Sequence, residues 1–403
     1  ELKAHSEFRF ESNTSLQLVL KRGTAEIFGT ELAIDIPYNF NGVKLAVYTY
    51  HGAALEITGE TIVEYTSEET PMPIYYNLHL ALEQRRMLKK SPRILLIGSG
   101  RNTASKILAN YAVRMGRSPL YIDLDVTNGS TLFPGTMNAF VLDKVVNVEE
   151  GCPSSTPLSY FYGQTSISTN MRLYKKIIAK MATVLYKKLE QDEALMDAGM
   201  IIIAPKWSDS VGFEILQHII EAYQVTVVAV LGNERLYSEI IKKNKNEGVE
   251  VLKVPKSGGV IDRDVIYRRQ EMSRQINRYF YKVDNEFTPY SLILNYKDVS
   301  VKKISEEFVA PTSALPIGAT RIVDDIRVVD VEPSSAMNHM ILALSACEQT
   351  EDEEAIAISN VFGYMCVTEI DDAKQRMTLL VPCYGKLPKP YILVGNMKWI
   401  DHQ

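Results

Sequence analysis

Along the first 80 residues, short apolar runs alternate with polar stretches, and glycines separate one run from the next. Short strands punctuated by glycine turns are typical of a β-sandwich. The strands predicted from this pattern are Leu16–Leu20, Ala25–Phe28, Val43–Tyr48 and Leu55–Ile57. The segment Ile74–Lys90 then has leucines at helical spacing and a basic end, which predicts a helix. His79 lies on it, and we expect a packed or exposed side chain because no second metal ligand is spaced near it.

From residue 91 to 284, apolar runs alternate with helical segments. The run Ile94–Ile97 stops at Gly98, a helical stripe follows, and a second β-rich run, Leu120–Leu124, ends before Asp125. Strand, glycine turn, helix and strand in this order form a βαβ unit. Further predicted strands are Met200–Ile203, Val225–Leu231 and Val249–Val254, and the helices between them are Tyr174–Gln191, Gly212–Tyr223 and Leu236–Lys245. The alternation predicts a mostly parallel sheet.

After residue 285 the pattern returns to strands, with one helix predicted at Met337–Ala346 and a loop at the acidic run Glu348–Glu354. The predicted strands are Ser291–Tyr296, Val299–Val301, Asp325–Val331, Gly363–Ile370, Thr378–Pro382 and Tyr391–Val394. The predicted fold class is therefore α/β. A central P-loop-type domain with a parallel sheet (residues 81–284) lies between an N-terminal β-sandwich (1–80) and a small C-terminal α+β domain (285–403).

Composition narrows the possible partners. The 403 residues carry a formal net charge of −5, so any contact with RNA must be a local basic patch. The four cysteines have no C-x-x-C spacing and are expected to be reduced thiols. No apolar run reaches the length of a membrane span, so no membrane association is expected.

The turn after Gly98 is the candidate for phosphate chemistry, because glycine backbone amides and a helix N-terminus bind phosphate. The usual pattern is G-x-x-x-x-G-K-[ST]. Counted from Gly98, the lysine position falls on Ala104. Counted from Gly100, Lys106 stands at the lysine position, but Ser105 replaces the glycine and Ile107 the hydroxyl residue. From spacing alone, a phosphate loop and a bare strand-to-helix turn both remain open.

Longer motifs link the whole chain, in order, to one protein family. They are A-E-I-F-G-T-E-L at Ala25–Leu32, T-P-M at Thr70–Met72, N-Y-A-V-R-M-G-R at Asn110–Arg117, L-D-V-x-x-G-S at Leu124–Ser130, P-G-T-M at Pro134–Met137, E-R-L-Y at Glu234–Tyr237, P-K-S-G-G-V at Pro255–Val260 and R-Y-F-Y at Arg278–Tyr281. With them the chain resembles the eukaryotic polynucleotide 5′-hydroxyl kinase family, which includes the kinase subunit of the pre-mRNA cleavage and polyadenylation machinery.

The resemblance implies a site for ATP and Mg²⁺. It places base and ribose contacts at Glu7 and Lys44, and the phosphate loop at Gly98, Ser99 and Gly100. Arg101 then takes the lysine position, Asn102 the position of the Mg²⁺-binding hydroxyl, and Thr103 the next, with Asp125 and Thr103 as metal ligands. The loop is about three residues shorter than the family pattern. Arginine does not replace a compact lysine charge in a tight loop. We therefore expect ATP binding to be weakened or lost.

The same resemblance assigns catalytic and substrate roles. Asp125 would coordinate Mg²⁺ or accept the hydroxyl proton, and Arg268 would close over the phosphates from a lid. Thr165 and Thr169 would hold the RNA, although Ile167 and Ser168 replace the proline and glycine of the family loop. Trp207 would stack on an RNA base, and a buried structural tryptophan is the alternative.

Losses at the phosphate loop, the substrate loop and the lid together favour a kinase-like subunit of the nuclear 3′-end processing machinery that organises partners, with weak or no kinase activity. The alternative is an active ATP-dependent RNA 5′-hydroxyl kinase in mRNA 3′-end processing or tRNA splicing. A nucleoside triphosphatase without an RNA role is a third, less supported reading.

The partners implied are RNA, the cleavage and polyadenylation subunits, chiefly the one that binds the RNA polymerase II tail, and the tRNA splicing endonuclease. The candidate docking segments are Gly212–Tyr223 and Glu234–Tyr237, which offer Phe213, Tyr223, Arg235 and Tyr237. The alternative for each of these aromatics is a place in the core.

Overall fold

The structure is a computed structural model of the 403-residue chain. It describes residues 1–127, 132–151, 157–208, 211–243, 248–260, 265–282, 288–304, 326–350, 352–385, 387–388 and 391–400. The chain divides into two compact units. The first unit comprises Glu1–Asp123, Ala139–Pro157 and Leu185–Arg263, and the second comprises Leu124–Asn138, Leu158–Val184 and Asp264–Gln403.

The N-terminal strands form the predicted β-sandwich. They are β1 (Ser6–Glu11), β2 (Ser15–Gly23), β3 (Glu26–Ile27), β4 (Thr30–Glu31), β5 (Pro37–Asn41), β6 (Lys44–Thr49), β7 (Ala53–Gly59) and β8 (Val63–Ser67). One sheet has the order β4-β3-β6-β1-β8 and the other has the order β5-β2-β7. Alternate residues such as Leu16, Leu18 and Leu20 are buried with Phe10 and Val47 in one apolar core, as expected for strands with one inward face.

The central elements follow the predicted alternation. They are α1 (Met72–Met87), β9 (Arg93–Gly98), α2 (Arg101–Arg114), β10 (Leu120–Asp123), β11 (Thr136–Val141), β12 (Leu158–Phe161), α3 (Met171–Leu189), α4 (Glu193–Ala198), β13 (Met200–Ile203), α5 (Gly212–Tyr223), β14 (Val227–Leu231), α6 (Glu234–Lys243), β15 (Glu250–Val254) and α7 (Val265–Tyr281). Their sheet has the order β12-β11-β10-β13-β9-β14-β15. The pairs β10/β13, β13/β9, β9/β14 and β14/β15 are parallel. The predicted α/β fold class is thus confirmed.

The C-terminal elements are β16 (Tyr290–Asn295), β17 (Ser300–Ile304), β18 (Val328–Asp330), β19 (Met340–Ser345), α8 (Glu353–Ala357), β20 (Val361–Asp371), β21 (Arg376–Val381) and β22 (Tyr391–Lys398). Their sheet has the order β16-β21-β20-β19-β22-β17-β18. The predicted helix Met337–Ala346 is wrong, because this segment forms β19, paired on both sides. Residues Ile341–Ser345 are all buried. A short apolar run of this kind does not distinguish a central strand from a buried helix.

The predictions for the acidic run and for the cysteines can also be compared with the structure. The acidic run Glu348–Glu354 was predicted as a loop, but its last two residues, Glu353 and Glu354, begin α8, whose N-terminus is capped by Asp352. Cys347 is half-buried, Cys366 is buried and Cys383 is exposed, and these three described cysteines form no disulfide with one another; Cys152 lies outside the described residues. None of the helices in the described ranges combines the length and apolar composition needed to cross a membrane.

Polar contacts join the sandwich to α2. The Tyr111 hydroxyl donates to the Glu26 carboxylate, and Arg114 Nη1 donates to the other oxygen of Glu26 at 2.9 Å. Asn110 Nδ2 donates to Phe28 O at 2.8 Å, while its Oδ1 accepts from the backbone of Val146 at 2.8 Å. Burial raises the pKa of Glu26, and the hydrogen bonds from Tyr111 and Arg114 oppose that rise. The motifs Ala25–Leu32 and Asn110–Arg117 therefore form the two sides of one contact.

His79 of α1 packs into the same region and is 2% exposed. Its ring lies edge-on to Tyr111, with centroids 5.5 Å apart, and its buried Nδ1 has no hydrogen-bond partner among the described residues. Burial, together with the positive charges of Arg86 and Arg114, lowers the pKa of His79 to about 4, although the Glu83 carboxylate opposes this. The imidazole is therefore neutral, and of the two predicted outcomes, a packed or an exposed side chain, it is packed.

We expect stability to depend on pH through His79. Because its pKa is lower in the folded state than in the unfolded state, its contribution is present above about pH 6.5 and is lost as the pH falls toward about 4. Lowering the pH from about 7.5 to about 5 should reduce the free energy of unfolding by about 2 kcal/mol more in the wild type than in His79→Gln. Urea unfolding at each pH measures this free energy. Parallel pH profiles of the two proteins would contradict the assignment.

Candidate functional site

The glycine turn is positioned by the parallel sheet. β9 lies between β13 and β14, and its last residue, Gly98, is opposite Leu231. Gly98 has φ of 102°, and an ideal Cβ there would lie 2.2 Å from the Leu231 carbonyl oxygen. Gly100 has φ of 87°, and α2 begins at the next residue. Only glycine combines this backbone conformation with so close an approach, so the predicted strand–turn–helix is present.

Arg101 points inward. Its side chain is 8% exposed, its Nε donates to Ala204 O at 2.8 Å, and its Nη1 donates to Gly98 O at 3.1 Å. Ala204 directly follows β13 and Gly98 ends β9, so the guanidinium joins the ends of two neighbouring strands. The residue at the predicted lysine position is thus bonded to the scaffold of the loop.

The other loop residues differ in exposure. Ser99 is exposed, while Gly100, Asn102 and Thr103 are half-buried. Asn102 Oδ1 is buried and has no hydrogen-bond partner among the described residues. An amide oxygen of this kind fits a divalent cation or an ordered water. Lys106, the lysine of one alternative spacing, has its Nζ 5.5 Å from the centre of the Phe28 ring on the sandwich.

Glu7 and Lys44 lie on neighbouring strands of one sandwich sheet, β1 and β6. Glu7 is 3% exposed, its Oε2 accepts from Arg9 Nε at 2.8 Å, and its Oε1 accepts from the Thr70 hydroxyl. Lys44 Nζ lies 2.7 Å from Glu11 Oε2. Both side chains therefore have protein partners, and their predicted contacts with base and ribose stay predictions.

Trp207 packs against the start of α5. An ideal Cβ on Gly212 would lie 2.9 Å from the indole ring, so the ring rests on glycine backbone. Phe213 meets the indole edge-on, with centroids 4.8 Å apart, and Lys243 Nζ lies 3.6 Å from the centre of the Phe213 ring. Trp207 is half-buried. One face of the ring is structural, and stacking on a base stays a prediction.

Four predicted site residues belong to the second unit. Asp125 is 1% exposed, and its Oδ1 accepts from the Thr127 backbone at 3.0 Å and from the Thr127 hydroxyl at 2.6 Å. Thr165 is exposed and Thr169 half-buried, and Arg268 is a half-buried residue of α7. Between the two threonines, Ile167 is 5% exposed. The isoleucine at the family's proline position is thus a core residue.

Sequence reasoning gave no site role to the motif P-K-S-G-G-V. In the structure, Val260 Cγ2 would lie 3.3 Å from an ideal Cβ on Gly100, and Lys256 Cβ would lie 3.9 Å from it. The segment follows β15, and the carboxyl ends of parallel strands are where ligands bind in α/β sheets. That position in the chain was the available signal.

Sequence models of three families together match most of the chain. The model described as the P-loop of the mRNA cleavage and polyadenylation factor CLP1 matches residues 97–282. The N-terminal β-sandwich domain of polyadenylation factor matches residues 1–89, and the pre-mRNA cleavage complex II protein Clp1 matches residues 287–401.

Individual proteins give the same result. The chain is 38% identical to the human polyribonucleotide 5′-hydroxyl-kinase Clp1, with 100% of this chain and 96% of the relative covered. It is 35% identical to the Dictyostelium discoideum protein CLP1 homolog, with 98% and 87% covered. A solved Clp1p–Pcf11p complex is similar with a TM-score of 0.87 at 24% identity, covering 100% of this chain and 97% of that one. A second, on the Pcf11p–Clp1p interface and ATP loss in a glycine-to-arginine mutant, has a TM-score of 0.86 at 24% identity, with 99% and 98% covered.

We expect Arg101 to contribute to the stability of the ligand-free protein. Arg101→Ala leaves Ala204 O and Gly98 O without their donor, which should lower the free energy of unfolding by about 2 kcal/mol. Denaturant unfolding without nucleotide measures the effect, with the exposed Lys256→Ala as the control on the neighbouring loop. Unchanged stability in Arg101→Ala would mean that the hydrogen bonds from Arg101 to these two carbonyl oxygens do not stabilise the folded protein.

Proposed function

The chain belongs to the Clp1 family of mRNA cleavage and polyadenylation factors, and on that premise we propose that it organises partner subunits in nuclear pre-mRNA 3′-end processing. Its nucleotide site is proposed to bind ATP and Mg²⁺ weakly or not at all. RNA and the tRNA splicing endonuclease are further proposed partners.

The inward orientation of Arg101 is the observation that carries the proposal. A phosphate loop needs a cation at the β- and γ-phosphates. Here the cation at that position is bonded to Gly98 O and Ala204 O. One solved Clp1p structure connects a glycine-to-arginine change with loss of ATP. In this chain an arginine directly follows Gly100.

Other parts of the site fit a nucleotide better. In the part of the chain that the structure describes, no side chain caps the N-terminus of α2, which follows Gly98 and Gly100 and favours an anion. Asn102 Oδ1, which has no hydrogen-bond partner within the described ranges, suits a divalent cation. Glu7 and Lys44 keep the residue types expected for contacts with the base and ribose. These features support weakened binding more than a closed site.

An active RNA 5′-hydroxyl kinase is the second candidate. The human relative, a polyribonucleotide 5′-hydroxyl-kinase by name, favours it. So does Asp125, whose carboxylate is retained and anchored by the Thr127 amide and hydroxyl. A carboxylate of this kind is required to hold the metal or to accept the proton of the attacking hydroxyl.

The proposed partner is a subunit of the Pcf11 type, because both solved neighbours are described with Pcf11p. We place the docking surface on the start of α5 and on α6, where Phe213 and Tyr237 are half-buried and Arg235 is exposed. Tyr223, the fourth residue predicted for this surface, is wrong for it, because its side chain is 0% exposed. Interfaces depend on a few aromatic and arginine anchors, so the three remaining residues are the ones to test.

We expect very weak transfer of labelled phosphate from ATP to a 5′-hydroxyl oligoribonucleotide. Loss of the cation at the transferring phosphoryl should reduce the rate at least about 100-fold relative to a family kinase with an intact loop. Asp125→Asn is the control for residual activity. Rapid turnover in the wild type, abolished in Asp125→Asn, would establish the kinase and reject the weakened site.

We expect Arg235→Ala with Tyr237→Ala to lose capture of a Pcf11-type subunit, with affinity reduced about tenfold or more. Asp125→Asn, which changes the nucleotide site, should retain capture. Lys242→Ala is the matched control, since Lys242 is an exposed residue of the same helix. Thermal melting confirms that each variant is folded. Capture lost in Asp125→Asn and retained in the double mutant would mean that bound nucleotide holds the partner-binding conformation.

A further inference from the structure

Arg9 extends from the sandwich to the segment Pro255–Val260, which we call the paired-glycine loop. Arg9 lies on β1 and is 7% exposed. Its Nε donates to Glu7 Oε2 at 2.8 Å. Its Nη2 donates to Glu69 O at 3.0 Å and to Ser257 Oγ at 3.3 Å. One guanidinium thus joins a sandwich strand, the segment before α1 and the paired-glycine loop.

The two glycines of the loop lie directly against this side chain. An ideal Cβ on Gly258 would lie 3.2 Å from Arg9 Nη1, and one on Gly259 would lie 2.9 Å from Arg9 Cδ. Neither glycine has a positive φ. Close approach to Arg9, rather than backbone conformation, therefore accounts for glycine at both positions.

The other side of the loop meets the glycine turn. Val260 lies against Gly100, and the Lys256 stem lies across Gly232, where an ideal Cβ would be 2.9 Å from it. The Tyr75 hydroxyl donates to Pro255 O at 3.0 Å, which fixes the start of the loop. The paired-glycine loop therefore lies beside the N-terminus of α2 on one side and contacts Arg9 on the other.

We infer that Arg9 is a positioning residue for the nucleotide site: it holds the paired-glycine loop against Gly100, so that the site requires the sandwich. The inference rests on the proposed nucleotide site at α2. Arginine suits the role because its planar guanidinium donates in several fixed directions and offers a flat face to the glycine backbone. Lysine keeps the charge beside Glu7 but has neither feature.

Hydrogen exchange of the full chain tests the positioning role without any ligand. In Arg9→Lys, we expect the amides of Gly259 and Val260 to exchange about tenfold faster. Exchange in sandwich strands β2 and β7 should be unchanged. Arg22→Lys, the same substitution at an exposed sandwich position that pairs with Glu1, is the matched control. If Arg9→Lys does not fold, Ser257→Ala removes the Arg9 contact together with the bond from the Gly259 amide to Ser257 Oγ. The Val260 amide, which donates to the Ser257 backbone carbonyl, is then the readout and should exchange faster.

Titration calorimetry with ATP and AMP provides the second readout. We expect Arg9→Lys to weaken binding of both nucleotides about tenfold, because the paired-glycine loop is displaced while α2 itself is unchanged. Wild-type protein that binds neither nucleotide would agree with a lost ATP site and would overturn the role of Arg9 in nucleotide binding, whereas the exchange result would still decide how Arg9 acts on the loop. Unchanged loop exchange in Arg9→Lys would overturn the inference. So would faster exchange spread equally over β2 and β7, since Arg9 would then only stabilise the sandwich.

Discussion

The close approach of Gly98 to β14 is the constraint on which the candidate site depends. β9 is hydrogen-bonded on both sides, so the chain leaves the sheet where an added Cβ would meet the Leu231 carbonyl at 2.2 Å. That exit sets where Gly100 stands and where α2 begins. It also brings Gly98 O within reach of Arg101, whose guanidinium bonds to it. The turn is thus compatible with phosphate, while the guanidinium of Arg101 is hydrogen-bonded to the backbone at the ends of β9 and β13.

The motifs that reveal the family lie largely outside the chemistry. Ala25–Leu32 and Asn110–Arg117 meet through Glu26, Tyr111 and Arg114, which join the sandwich to α2. Gly29 is part of this contact, because an ideal Cβ there would lie 3.1 Å from Ile107 O. Such contacts describe how the sandwich and α2 are fixed to each other. A resemblance carried by them indicates the architecture more directly than the activity.

The spacing of apolar residues was sufficient to predict an element where the buried residues follow that spacing. β13 and α5 were predicted to the residue, because one is a fully buried apolar run that begins directly after Gly199 and the other has a regular apolar face. β1 was not predicted, since its charged residues Glu7 and Arg9 are buried and obscure the alternation. In the site, the order of strand, glycine turn and helix was available from sequence. The orientation of Arg101 was not, because its acceptor Ala204 O belongs to the residue after β13, 103 positions further along the chain.

The contact between the sandwich and α2 limits where the polypeptide can be cut into fragments that still fold. A fragment beginning after the sandwich would retain Asn110 and Tyr111 but lose Phe28 O and Glu26, their acceptors. It would also expose an aromatic and polar surface made to be covered, and buried polar groups without partners destabilise a fold. Limited proteolysis is then expected to release no stable P-loop fragment. The N-terminal segment is therefore a structural requirement of the nucleotide domain and not a detachable module.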